Sequence, residues 1–114
     1  MGGSILAGKN RMALDNGMEM RLLSALEVLE AGREARKIAQ EDREMALCAN
    51  ACLLARALET DRRPVFQNGS AVLSGLAVGE IATLAKQWSE FNDQENPGLS
   101  LNEESAQRLK KTEG

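Results

Sequence analysis

Along most of this chain apolar residues recur at the three- and four-residue spacings of a helix, and one stretch departs from that by being apolar on every side. From Met45 to Leu58 the chain reads MALCANACLLARAL, with only Asn50 and Arg56 polar. A surface helix carries an apolar stripe and a charged face, whereas a helix apolar nearly all round is enclosed by other elements. At about 1.5 Å per residue the stretch reaches roughly 21 Å, short of the ~30 Å of a bilayer core. It predicts a buried helix and not a membrane span.

The flanking segments supply helices to enclose it. Ser24-Ala25-Leu26-Glu27 fits a capping box, in which hydroxyl and carboxylate satisfy free N–H groups reciprocally, and it predicts a first helix over 25–40. Leu22, Leu26 and Leu29 continue as one apolar row into it; Val28, Ala31, Ala35 and Ile38 form an adjacent one. Asp42 is placed to cap a second helix over 43–60, with Glu41, Asp42 and Glu44 at its positive end. Pro64 stops that helix. Val65-Phe66-Gln67 is a short extended piece closed by the turn signal Asn68-Gly69, and Ser70 can cap a short helix over 71–75. From Val78 onward, Ile81, Leu84, Ala85, Trp88 and Phe91 make a helical stripe that Asn96-Pro97-Gly98 ends. Ser100-Leu101-Asn102-Glu103 repeats the capping pattern, but only Leu101, Ala106 and Leu109 stand near it as apolar anchors.

These spacings predict an all-α fold: a compact bundle of three to four helices around the Ala/Leu/Cys-rich helix, with at most a tiny β-ribbon near 64–68. Residues 1–20 hold four glycines and the Asn16-Gly17 turn without sustained periodicity, and are expected to be a flexible arm. Residues 21–97 are the helical domain, and 98–114 a weakly helical or disordered tail.

Length and composition narrow the function classes. A chain of 114 residues suits one core and not two. The net charge of −3 weighs against a nucleic-acid binder, which needs a surplus of Lys and Arg on one face. With no His and no Tyr, the chain lacks the commonest general base and metal ligand and a frequent proton donor. Cys48 and Cys52 share a helical face near the long limit for a disulfide, and no His or further Cys joins them as a zinc ligand. They read as small buried hydrophobes in a reducing cytosol. Met1 to Gly8 lacks the basic lead-in and apolar run of a secretory signal, which predicts a cytoplasmic protein. No catalytic residue, metal ligand, cofactor or membrane contact is expected.

Two patterns invite a sharper reading. Gly3 to Asn10 approaches the phosphate-binding loop G-x-x-x-x-G-K-[ST], but Asn10 stands where magnesium needs a hydroxyl, and no alternation of strands and helices supports it. Arg33, Arg36, Lys37 and Arg43 form a basic cluster interleaved with Glu30, Glu34 and Glu41 at pairing distances worth ~0.2–0.5 kcal/mol each. That is the pattern of a solvated, salt-laced face, with phosphate contact the alternative.

The aromatic residues Phe66, Trp88 and Phe91 all lie within 26 positions, while the first 60 residues pack without any. The plain reading is that Trp88 and Phe91 fill the core against the second helix. The alternative is that part of the stripe stays open as a groove for a partner segment. Because aromatic side chains lead the anchors of protein interfaces, the candidate contact surface comprises Phe66, Asn68, Gly69, Trp88 and Phe91.

Leu47-Cys48-Ala49-Asn50-Ala51-Cys52-Leu53-Leu54-Ala55-Arg56, the link Pro64-Val65-Phe66 to Gly69, and Gly79-Glu80-Ile81 leading to Leu84-Ala85, Trp88 and Phe91-Asn92 resemble small tail assembly chaperones of long-tailed phages and prophages of Gram-positive bacteria. The resemblance covers roughly residues 20–97 and rests on helix order, since that family carries no catalytic or ligand motif. It implies an all-helical, non-enzymatic protein without a cofactor. Such a protein acts in the bacterial host cytoplasm and binds the tape measure protein before the tail tube polymerises. Homo-oligomers are possible. The alternatives are a small phage or regulatory DNA-associated protein using the basic cluster, and a structural head–tail connector component that self-associates in a ring.

Overall fold

The computed structural model describes residues 10–95. The phosphate-loop-like stretch up to Lys9 and the predicted tail over 98–114 lie outside the described residues.

The first helix, α1 (Ala25–Ile38), begins where its capping box places it. Glu27 donates its backbone N–H to Ser24 Oγ at 3.1 Å, and Ser24 donates its own to Glu27 Oε1 at 2.9 Å. Of its two apolar rows, the one through Ala31 and Ala35 is buried, with Val28 and Ile38 packed beside it. Leu26 and Leu29 face solvent, each 57% exposed. After a 3-10 turn over Asp42–Glu44, helix α2 (Met45–Ala57) runs through the middle of the protein. Asp42 does not cap it, since it lies inside the turn. Glu44 holds the approach instead, accepting the Gln40 backbone N–H at 2.7 Å.

The near-continuous apolarity of α2 is explained by what surrounds it. Cys48 and Cys52 face Ala31 and Ala35 of α1, where small side chains on both helices permit close approach. Ala51, Leu54, Ala55 and Ala57 join Met20, Val72, Ile81 and Trp88 in the main core. Those partners come from three further elements. Val72 lies on α3 (Gly69–Gly75) and Ile81 and Trp88 on α4 (Val78–Glu95). Met20 belongs to a strand.

The fold is mostly helical but not purely so, which corrects the all-α expectation. Four short strands, β1 (Arg11–Ala13), β2 (Glu19–Arg21), β3 (Leu58–Thr60) and β4 (Arg63–Pro64), pair antiparallel in that order as one sheet. The sheet is therefore larger than the ribbon expected near 64–68 and reaches that stretch only at Pro64. Residues 11–20, assigned by sequence to the flexible arm, form its first hairpin together with Arg21, with Met12 opposite Met20 and Leu14 N–H donating to Met18 O at 2.8 Å. The turn is possible because Asn16 and Gly17 adopt left-handed conformations, φ 61° and 83°, that asparagine and glycine tolerate.

The second helix ends three residues earlier than its pattern suggests, because Leu58 turns extended and pairs with Met20. Both side chains are fully buried beneath the sheet. Alternation then sends Arg11, Glu19, Arg21 and Glu59 to the opposite face. There Glu59, only 8% exposed, bridges Arg11 (Nη1–Oε1 2.6 Å) and Arg21 (Nε–Oε2 3.3 Å). A buried carboxylate is tolerable only when paired in this way.

Candidate functional site

The five residues singled out from the sequence fall into two groups. Trp88 and Phe91, 7% and 6% exposed, are enclosed by the protein's own chain. Trp88 Nε1 donates to the Arg21 carbonyl at 2.9 Å, tying α4 to the end of β2. Neither ring is an open anchor in this structure. Phe66 and Asn68 lie together on the link before α3, with Gly69 next to them but buried. Asn68 Oδ1 caps α3 by accepting the Ala71 N–H at 2.9 Å, the part expected of Ser70. Gly69 is glycine for lack of room: a Cβ there would run into Cys52 Sγ and come within 3.2 Å of the Cys52 Cα and of Glu34 Oε2.

Phe66 and Asn68 edge a cleft of about 360 Å³ over Arg21, Glu34, Arg56 and Glu59. Its charges are paired with one another. Arg56 donates to Glu34 Oε1 at 2.7 Å and to the Cys52 carbonyl at 3.0 Å, while Gly69 N–H donates to Glu34 Oε2 at 2.8 Å. Burial pushes the Glu34 carboxyl upward, but the hydrogen bonds from Arg56 and Gly69 outweigh it and hold the group below its usual range. Beneath the cleft, burial and then the Glu34 charge push the Cys52 thiol up to about 12. A reactive cysteine needs the opposite, an electropositive and accessible setting. Chemically, the cleft fastens the 64–69 link to α1 and α2. Among the described residues, no cluster of His, Cys, Asp or Glu is arranged to hold a metal ion.

A second, partly apolar groove lies elsewhere. It measures about 550 Å³ and runs between the 14–18 turn and the first half of α4. Its floor is aliphatic: Leu14, Leu76 and Leu84 form the outer layer of the main core, and Met18 lies beside them. Asp15 and Asn16 edge it from the turn, and Glu80, Thr83 and Gln87 from the helix. Glu80 Oε1 accepts the Ala77 backbone N–H at 2.8 Å, closing the start of α4. Gly79 also lines the groove, and a Cβ there would meet no atom within 4 Å. Sequence reasoning found the Asn16-Gly17 turn but missed the groove. The one local signal was an exposed glycine inside a helical pattern.

The basic cluster is split. Arg33, Arg36 and Lys37 are exposed on α1, whereas Arg43 sits on the link before α2 and pairs with Glu41 at 2.6 Å. Arg33 and Lys37 share a shallow cleft with Glu30 and Glu34, so the interleaving of charge expected from the sequence is present in space. No helix among the described residues is long and apolar enough to cross a membrane. Compared with known proteins, the chain matches no family model, no curated protein and no solved structure.

Proposed function

We propose that this protein is a non-enzymatic binding module that holds a segment of another protein in the groove between the 14–18 turn and α4. The observation that carries the reading is the groove itself, an apolar floor continuous with the core and edged by polar side chains. Apolar surface framed by a polar rim is the general anatomy of a protein contact. A groove along a helix suits an amphipathic segment whose apolar face it buries.

In its finer form, the module is a tail assembly chaperone and the segment belongs to the tape measure protein. Support for this form is the residue pattern over 20–97. A tail tube gene before its own gene and a very long coiled-coil gene after it would support it further; unrelated neighbours would count against it. The test of function is calorimetric titration of the purified chain with tape measure protein and with duplex DNA at about 0.05 and about 0.5 M NaCl. Binding to the protein should survive the higher salt. Binding to DNA alone, falling steeply as salt rises, would transfer the function to Arg33, Arg36 and Lys37.

A further inference from the structure

We infer that the groove takes a short amphipathic segment carrying bulky apolar side chains and an adjacent Lys or Arg, with the segment's backbone seated close to Gly79. The inference rests on the binding-module reading and specifies the chemistry of what is bound. The floor formed by Leu14, Met18, Leu76 and Leu84 offers aliphatic carbon and one thioether, with no aromatic ring to stack on a planar ligand. Small-molecule pockets wrap most of their ligand's surface. This trough is open along one side and can cover only one face of its occupant, as suits a chain segment that keeps its other face in water.

Charge selects among such segments. Asp15 stands on the turn side and Glu80 on the helix side, and neither takes part in an ion pair among the described residues. Carboxylates on both edges favour a cationic segment and repel an acidic one, giving specificity and rapid encounter more than raw affinity. One wall is fixed by the left-handed Asn16 and Gly17 and the Leu14–Met18 hydrogen bond. Met18 supplies a conformable surface beside it. Gly79 has a separate part. Glycine weakens a helix, and this one is exposed with nothing among the described residues packed on it, so it leaves the helix backbone open to close approach.

The test uses the isotopically labelled full chain and two synthetic peptides about four helical turns long, one of Leu and Lys in helical spacing and one of Leu and Glu. Amide shifts locate the binding and give its Kd. The Leu/Lys peptide should move the amides of 14–18 and 76–87, and the Leu/Glu peptide should bind at least about tenfold more weakly. Gly79→Leu should weaken the Leu/Lys peptide by about tenfold or more while melting no lower than the wild type, since its side chain enters open space. Equal binding of the two peptides, or undiminished binding to Gly79→Leu, overturns the inference. Shifts confined to Leu26 and Leu29 of α1 overturn it and the placement of the bound segment in the groove as well. Failure of both peptides to bind anywhere also overturns the inference, while the binding-module reading stands or falls on the tape measure titration.

Discussion

Replacing Leu54 by Ala tests whether α2 is the centre of the fold. Leu54 is fully buried, and its surroundings include Met20 on β2, Val72 on α3 and Ile81 and Trp88 on α4. The substitution removes three carbon atoms, about 2.4 kcal/mol of transfer free energy at ~0.8 kcal/mol each. A cavity term adds to this, because neighbours held by strand pairing and helix packing cannot all collapse into the space. The expected loss is about 3–4 kcal/mol, a large part of the ~5–15 kcal/mol available to a domain. Urea unfolding followed both by far-ultraviolet circular dichroism and by fluorescence of Trp88, the chain's one tryptophan, should give this value with coincident transitions. A loss below about 0.5 kcal/mol, the range of ordinary surface changes, would refute a central α2.

Gly69→Ala should destabilise by about 1–3 kcal/mol, because its Cβ would press on the backbone and sulfur of Cys52, and denaturant midpoints compared with wild type measure this. For Glu27, the Arg21 hydrogen bond and ion pair hold the carboxyl at about 2, below its ordinary value of 4.5. The resulting stability is present above pH 4.5 and is lost as the pH falls toward 2. Glu27→Gln can keep the helix cap without the charge, so its melting temperature should fall less than wild type's across that window; parallel curves would contradict the pairing. Cys48 and Cys52 should react slowly with a thiol reagent in the native protein, since both are buried and burial raises both thiols. Rapid labelling of the pair would place them outside the core.

What was legible in the sequence was local. The Ser24–Glu27 box, the enclosed apolar run and the Ile81–Phe91 stripe each declare themselves within a few residues. The sheet does not, because its strands are two or three residues long and its key pair, Met20 with Leu58, joins distant parts of the chain. Leu58-Glu59 has good helical propensity and follows Ala57 with no break signal, so only pairing with β2 pulls it extended. The β3–β4 turn is hidden too. It uses Asp61 and Arg62 at φ 55° and 66°, where a sequence reader looks for Asn-Gly. The aromatic supply argument led to Trp88 and Phe91, yet apolar size alone cannot separate an anchor from a core residue. The groove joins a turn at 14–18 to a helix starting some sixty residues later, and no local pattern announces that meeting.

The proposed function is tested most directly by hydrogen exchange of the full chain, free and bound to tape measure protein. Binding in the groove predicts slowed amide exchange from Leu14 to Met18 and across the first half of α4, with Leu26 and Leu29 of α1 unaffected. Protection confined to α1, whether over its exposed leucines or over Arg33, Arg36 and Lys37, would contradict it.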